Sequence, residues 1–183
     1  KGVRNMKKRT KRERMISTNR EKIYSIACVL LMIDQGIKLL VRSKLPILGE
    51  VTVIPNFFSI YHIENKGAAF SMFSGATIVL IVISILVLAF LHYYVLTEEK
   101  MTKWRIFSLG IVIGGIVGNL VDRLLYGAVI DYLSFDLFGY GFPVFNMADI
   151  GITVGFVILA IGILRRDSNE FGDSSKKRQR SEN

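Results

Sequence analysis

Hydrophobic and polar positions fall in long blocks along this chain rather than alternating residue by residue. Four apolar segments, each close to the roughly 20 residues that a membrane-spanning helix needs, are separated by polar or mixed stretches. They cover residues 23–40, 76–95, 104–125 and 146–164. The second segment contains no Lys, Arg, Asp or Glu. The pattern therefore predicts four transmembrane helices.

The first segment carries charged residues at helical spacing. Asp34 and Lys38 are four residues apart, so they share a helix face and can pair. A charge near the bilayer centre costs about 2.5–3.5 kcal/mol on insertion scales, so these side chains should face protein or water. We interpret Asp34 as a structural polar anchor inside the helix bundle. The interrupting charges and the lack of a small-residue cleavage site argue against a cleavable signal peptide.

Glycines recur every four residues in the third and fourth segments. Gly110, Gly114 and Gly118 form one ridge along the third segment, and Gly151 and Gly155 are four apart in the fourth. Small residues on one face of a helix allow another helix to approach closely. We therefore expect close helix packing along these ridges.

Three polar residues lie near the end of the third segment. Asn119 and Arg123 are four apart and share a helix face, and Asp122 neighbours Asn119 by i, i+3 spacing. Asp122 and Arg123 could be an ordinary polar belt at a helix end. Asn119, however, lies well inside the apolar run, where an amide must find a hydrogen-bond partner.

The two longer loops differ in pattern. Residues 42–74 are rich in β-branched and aromatic positions and predict two short strands on the membrane surface, followed by a short interfacial helix. Asn65 opens that helix, and both a capping role and a substrate-binding role remain open for it. Residues 126–145 contain no Lys or Arg and are predicted to form a loop, in which residues 139–141 make a flexible surface turn.

Composition and charge agree with a small membrane protein. The 183 residues are 51% hydrophobic, the mean hydropathy is +0.40, and the formal net charge is +9. Ten Lys or Arg lie in residues 1–22 and six in residues 165–183. The basic charge thus flanks the apolar body, as the positive-inside rule describes, and does not indicate a nucleic-acid partner. We predict a disordered basic cytoplasmic tail over residues 1–22, where Met6 could be the native start, a membrane domain over residues 23–164, and a charged cytoplasmic tail over residues 165–183.

The candidate chemistry rests on carboxylates. A single cysteine excludes an internal disulfide, and no Cys/His cluster has metal-ligand spacing, so neither a metal nor a cofactor is expected. Four spans would place both tails on the cytoplasmic side, so Asn119, Asp131 and Asp149 should converge near the outer membrane surface. Two carboxylates that share a proton can activate water and protonate a carbonyl oxygen, which permits peptide hydrolysis without a metal.

Two other classes of function compete with hydrolysis. Membrane proteins also use paired carboxylates to move protons or ions, so a small proton-coupled transporter that depends on Asp34 is one alternative. A non-catalytic assembly or anchor subunit, which would use its glycine ridges for packing, is the other.

Five short motifs resemble the lipoprotein signal peptidase family, also called signal peptidase II. They are IDQGIK at 33–38, NKGAAF at 65–70, GNLVDR at 118–123, VIDYL at 129–133 and FNMAD at 145–149. The resemblance implies an all-α membrane protein with four transmembrane helices, a small extracytoplasmic β-cradle and a short lid helix. It also implies an aspartyl endopeptidase that cuts prolipoproteins on the amino side of the diacylglyceryl-modified cysteine, at the outer face of the bacterial cytoplasmic membrane.

The resemblance also assigns roles to individual residues. It implies a catalytic pair, Asp131 and Asp149, and structural roles for Asp34 and Asp122. It implies substrate-binding roles for Asn65, Asn119, Arg123 and Asn146. Phe70 stands on the lid where the family often has Trp, which keeps a ring but removes an indole donor. The expected partners are prolipoprotein substrates, membrane lipids and inhibitors of the globomycin class, and the expected state is a monomer.

Overall fold

Three long helices and one shorter helix carry the four apolar segments. The long helices are α1 (Lys11–Lys44), α2 (Thr77–Thr97) and α3 (Lys103–Tyr126), and each is long and apolar enough to cross a membrane. Helix α4 (Met147–Gly162) is apolar but shorter within the described residues. All four predicted segments are therefore confirmed as helices, three of them long and apolar enough to span a membrane, and the four membrane spans stay a prediction. The computed structural model describes residues 11–67, 75–99, 101–162 and 164.

Helix α1 begins much earlier than the apolar segment that it contains. The prediction of a disordered tail over residues 1–22 is wrong from Lys11 onward, and residues 1–10 lie outside the described part of the chain. The guanidinium of Arg20 donates to the carbonyl oxygens of Val95 and Leu96 at the end of α2. Carbonyl groups in the last turn of a helix lack intrahelical partners, so this contact stabilises both helices at once.

The loops at one end of the helices form a four-stranded antiparallel sheet in the order β1-β2-β3-β4. Strands β1 (Glu50–Ile54) and β2 (Phe58–Asn65) confirm the two predicted strands. The prediction of a loop over residues 126–145 is wrong, because β3 (Val129–Leu137) and β4 (Tyr140–Gly141) lie there. The β-branched and aromatic residues of β3 favour a strand, and pairing with β2 satisfies its backbone groups. The protein is thus mostly helical with a small sheet, as the family resemblance implied.

A tight turn joins β3 to β4. Phe138 and Gly139 both have positive φ, 57° and 86°, as the two central residues of a type I′ hairpin require. The Oδ1 of Asp136 accepts the backbone N–H of Gly139 at 2.7 Å. The predicted surface turn at residues 139–141 is confirmed only at Gly139, because the turn is centred on residues 138–139 and residues 140–141 form β4.

Helix α3 is the centre of the helix packing, and its glycines allow the close approach. A Cβ added at Gly114 would lie 2.6 Å from the carbonyl oxygen of Ala27 on α1, and one at Gly115 would lie 2.5 Å from that of Ala148 on α4. Because both contacts are with backbone atoms, a side chain at either position would force the helices apart. The predicted glycine ridge is confirmed, and it brings the polar end of α3 against α1 and α4. The predicted lid helix, including Phe70, lies outside the described residues.

Candidate active site

The two aspartates come from different elements and line one pocket. Asp131 is the third residue of β3, opposite Ile63 of β2, and Asp149 is the third residue of α4. The pocket has a volume of about 520 Å³. Its polar lining consists of Asn65, Asn119, Arg123, Asp131 and Asp149. The predicted convergence of residues 119, 131 and 149 is therefore confirmed.

The start of α4 holds Asp149 by a reciprocal pair of hydrogen bonds. Asn146 precedes the helix, and its Oδ1 accepts the backbone N–H of Asp149 at 3.0 Å. Asp149 returns the contact, because its Oδ2 accepts the backbone N–H of Asn146 at 3.2 Å. This is the capping-box arrangement, which depends only on residue types three positions apart. The local sequence FNMAD thus sets the direction of one catalytic candidate.

Three side-chain amides donate to the aspartates. Asn65 Nδ2 donates to Asp131 Oδ2 at 3.0 Å, and Asn146 Nδ2 donates to Asp131 Oδ1 at 2.6 Å. Asn119 Nδ2 donates to Asp149 Oδ1 at 2.7 Å. Together with the backbone N–H of Asn146, they provide an N–H donor for each of the four carboxylate oxygens. The site is therefore built to hold carboxylate groups away from bulk water.

The environment of Asp131 favours its protonated form. Its side chain is buried, with a relative exposure of 2%. Burial first, and the charge of Asp149 second, raise the pKa of Asp131 to about 7, although hydrogen bonds from Asn65 and Asn146 act in the opposite direction. The pair can consequently hold one proton near neutral pH.

Arg123 brings a positive charge to the same pocket. Its Nη2 donates to the carbonyl oxygen of Gly67 at 3.1 Å, and its Nη1 donates to that of Asn119 at 3.4 Å. The Oδ1 of Asn65 accepts the backbone N–H of Gly67 at 2.9 Å. Asn65 therefore makes a cap-like local bond and contacts Asp131 with the same amide. The capping role is supported by this local bond, whereas a substrate-binding role for Asn65 stays a prediction.

The remaining wall of the pocket is apolar apart from the hydroxyl group of Thr153. It is formed by the segment between β4 and α4 and by one face of α4, with Val129 of β3. These residues are Val129, Phe142, Pro143, Val144, Phe145, Ile150, Ile152, Thr153 and Val154. The pocket therefore has carboxylate, amide and guanidinium groups on one side and mainly apolar side chains on the other. It suits a molecule in which a polar group lies next to a hydrocarbon chain.

Asp34 and Asp122 lie behind the pocket rather than in its lining. Both are fully buried and pair with Lys38 Nζ, at 2.7 Å and 2.8 Å. The predicted Asp34–Lys38 pairing is confirmed, and the alternative of Asp122 as an exposed polar belt is wrong. Sequence reasoning assigned no role to Lys38 beyond this pairing, or to Tyr132, whose hydroxyl accepts the backbone N–H of Met147 at 3.2 Å.

No group of three or more His, Cys, Asp or Glu side chains within the described residues could hold a metal ion. The chemistry available to this chain's own side chains in the pocket is acid–base chemistry by two carboxyl groups. A guanidinium and several amide donors surround them.

The chain is similar to known proteins along most of its length. The family model described as Signal peptidase (SPase) II matches residues 26–165. A protein named lipoprotein signal peptidase from Maridesulfovibrio salexigens is 37% identical over 145 residues, covering 76% of this chain and 93% of the relative. A protein of the same name from Clostridium acetobutylicum is 37% identical over 150 residues, covering 80% of this chain and 96% of the relative.

The fold comparison agrees with the sequence comparison. A solved structure of a bacterial membrane enzyme matches with a TM-score of 0.75 and 31% identity, covering 80% of this chain and 90% of that chain. The family match includes every polar residue of the pocket and the apolar helices that support it. On this match the chain belongs to the signal peptidase II family of bacterial membrane enzymes.

Proposed function

We propose that this protein removes the signal peptide from prolipoproteins as an aspartyl endopeptidase, with Asp131 and Asp149 as the catalytic pair. The observation that carries the proposal is the environment that the pair shares. Both carboxylates line one pocket, and Asn146 donates to both, through its side chain to Asp131 and its backbone to Asp149. Two carboxylates this close hold one proton between them more readily than none.

The shared proton allows hydrolysis in two steps. The ionised carboxylate takes a proton from water as the water oxygen attacks the carbonyl carbon, and the protonated carboxyl group donates to the carbonyl oxygen. The resulting diol then returns a proton to one carboxylate while the other carboxyl group protonates the leaving nitrogen, and the C–N bond breaks. The pair ends with one proton and is ready for the next turnover.

The polar residues around the pair divide into two groups by their contacts. Asn119 and Asn146 donate to the aspartates and so orient the pair. Arg123 faces the pocket with a cation, where it would stabilise negative charge that develops on the carbonyl oxygen. Asn65 lies beside it and would bind the substrate backbone. These roles refine the substrate-binding assignments that the resemblance implied.

The apolar wall supports the choice of substrate. A prolipoprotein carries acyl chains next to the bond that is cut, and these chains remain in the bilayer. The apolar residues of α4 begin one position after Asp149, so a chain lying along them would bring its peptide bond to the carboxylates. Inhibitors of the globomycin class, contacts with specific lipids and a monomeric state remain predictions from the family resemblance.

The orientation in the membrane follows from the order of elements. Helix α3 ends at Tyr126 and α4 begins at Met147, so the polar pocket lies at the end of the bundle that carries the sheet. The opposite end carries the basic start of α1 and the α2–α3 turn. By the positive-inside rule we place that end in the cytoplasm and the active site outside, with four spans and both termini cytoplasmic.

The transporter hypothesis finds less support. It needs Asp34 to exchange protons at mid-depth, but Asp34 is fully buried and paired with Lys38. The anchor-subunit hypothesis gives no reason for four N–H donors to surround two carboxylates.

The test is cleavage of a diacylglyceryl-modified prolipoprotein by purified protein in detergent with EDTA present. We expect cleavage by the wild type, and a loss of about 10³-fold or more in Asp131→Asn and in Asp149→Asn, because neither variant can share a proton between two carboxylates. The matched control is Asp136→Asn, which makes the same chemical change on the same strand, where the side chain bonds the hairpin turn rather than the pocket residues. Wild-type activity in the control but retained turnover in either pair variant would refute the assignment.

A further inference from the structure

Three charged side chains lie buried directly behind the catalytic pair. Lys38 Nζ is 2.7 Å from Asp34 Oδ2 and 2.8 Å from Asp122 Oδ2, and all three side chains are essentially inaccessible to solvent. Removing such charges from water costs several kcal/mol per ion, and apolar replacements are often equally stable. Stability alone therefore does not explain this cluster.

Lys38 has a third partner, which connects the cluster to the active site. Its Nζ donates to Asn119 Oδ1 at 3.0 Å. An ammonium group has only donors, so the Asn119 amide must turn its oxygen toward Lys38 and its nitrogen away. That nitrogen donates to Asp149 Oδ1 at 2.7 Å. Asn119 Oδ1 also accepts from Asn146 Nδ2 at 3.2 Å, so Lys38 and Asn146 together direct the amide nitrogen toward Asp149.

The two acids of the cluster hold the backbone just before each catalytic aspartate. Asp122 Oδ2 accepts the backbone N–H of Ile130 at 3.2 Å, one residue before Asp131. Asp34 Oδ1 accepts the backbone N–H of Ala148 at 3.0 Å, one residue before Asp149. Strand β3 and helix α4 are therefore tied to the same buried charges.

We propose that Lys38 is a positioning residue of this peptidase: it directs the Asn119 amide toward Asp149, while Asp34 and Asp122, which neutralise it, hold the backbone before each catalytic aspartate. The inference rests on the proposed function of Asp131 and Asp149. It separates Lys38 from a purely structural ion pair, because it requires Lys38 to affect kcat through the Asn119 amide, in addition to the effect of its charge on the titration of Asp131.

The main variant removes the donor together with one of its two acids, which leaves Asp122 without its ion-pair partner. Asp34→Asn combined with Lys38→Met removes one acid and one base, so the net charge of the cluster is unchanged, and the new amide oxygen can still accept from Ala148. Asp34→Asn alone keeps Lys38 and is the matched control. A second variant, Asp34→Asn/Lys38→Met/Asp122→Asn, leaves no charge in the cluster and protects the test against misfolding.

We expect kcat of the double variant to fall about 10- to 100-fold below that of Asp34→Asn. We take this range from metal sites, where loss of the groups that orient the metal-binding side chains has an effect of this size. KM should change little, because Lys38 does not line the pocket. The neutral triple variant should show the same loss of kcat. Unchanged kcat in a folded double or triple variant, with wild-type activity and an inactive Asp131→Asn, would overturn the role of Lys38 and leave the proposed function intact.

A double-mutant cycle tests whether Lys38 acts through Asn119. The comparison is between two proteins that both carry Asn119→Ala and Asp34→Asn and differ only by Lys38→Met. Their kcat values should differ by no more than about twofold, which is the usual error when the effects of two mutations are added. Losses that multiply would show that Lys38 acts by another route and would overturn the proposal. If wild-type protein cleaved no prolipoprotein at all, the proposed function would fail first.

Discussion

Asn146 is the residue on which the geometry of both aspartates depends. Its Nδ2 donates to Asp131, its backbone N–H donates to Asp149, and its Oδ1 accepts the backbone N–H of Asp149. An amide supplies the acceptor for the helix cap and the donor for the second carboxylate from two different atoms at once. An aspartate at this position would cap α4 equally well but would add a third negative charge.

The protonation of Asp131 predicts how activity depends on pH. The pKa of Asp131 is raised to about 7, so the pair holds its proton below that pH and loses it above. Rising pH should therefore lower kcat through a midpoint near 7, because no carboxyl group remains to protonate the carbonyl oxygen. The charged groups that act on Asp131 are Asp149, which raises its pKa, and Lys38, which lowers it; Arg123 also interacts with Asp131.

Asn65→Ala offers a specific check on the predicted fall of kcat with rising pH. Asn65 donates to Asp131 and lowers its pKa, so loss of the amide should move the midpoint of kcat to higher pH. The measurement is kcat across the neutral range for both proteins at constant ionic strength. A midpoint that stays in place or moves to lower pH would contradict the assignment of this fall to Asp131.

Helix α3 packs against α1 on one face and against α4 on another. Gly110 and Gly114 meet α1, Gly115 meets α4, and Gly118 leaves room for the carboxylate of Asp34. The close approach brings Asn119 within reach of both Lys38 and Asp149. The packing of the bundle and the geometry of the candidate active site therefore depend on the same helix.

Gly114→Ala should destabilise the protein. The new Cβ would lie 2.6 Å from a backbone oxygen of Ala27, and overpacking of this kind costs about 1–3 kcal/mol. The matched control is Gly36→Ala on α1, where a Cβ would have no neighbour within 4 Å. Unfolding midpoints in detergent should fall for Gly114→Ala and stay the same or rise slightly for Gly36→Ala. Equal midpoints would argue against the close packing of α1 and α3.

Within the described residues, the candidate active site lies at one end of the helix bundle and the basic start of α1 lies at the other. The sheet and the pocket lie beyond the end of α3, whereas Arg20 and the end of α2 lie at the opposite end of the bundle. In the orientation that we propose, a substrate that diffuses in the bilayer would meet the pocket without crossing the cytoplasmic end. The function that we propose therefore depends on how the protein is oriented in the membrane.

Cysteine labelling in intact cells checks the orientation. In a Cys28→Ser background, Tyr140→Cys at the exposed hairpin should react with a membrane-impermeant maleimide, whereas Lys103→Cys at the start of α3 should react only after the cells are opened. Both positions are exposed, so accessibility of the side chain is matched. The reverse pattern would invert the proposed topology.

The sequence by itself determined where the four helices and the first two strands form. It also determined that the end of α3 and the start of α4 lie at the same end of the bundle. Apolar length and glycine spacing are local properties, so residues 104–125 specified a helix with a packing ridge without reference to any partner. Because two spans joined by one loop return to the same side, Asn119 and Asp149 had to lie at the same end. The FNMAD sequence likewise contained its own helix cap.

Only the tertiary structure decided the features that depend on distant partners. Strand β3 exists through pairing with β2, which lies far away in the chain, and the start of α1 is held by carbonyl groups of α2. The sequence indicated that Lys38 pairs with Asp34, but its bond to Asn119 crosses between helices. Hydrogen-bond direction is a property of assembled neighbours, and for that reason the orientation of the catalytic pair emerges only when α1, α3, β3 and α4 come together.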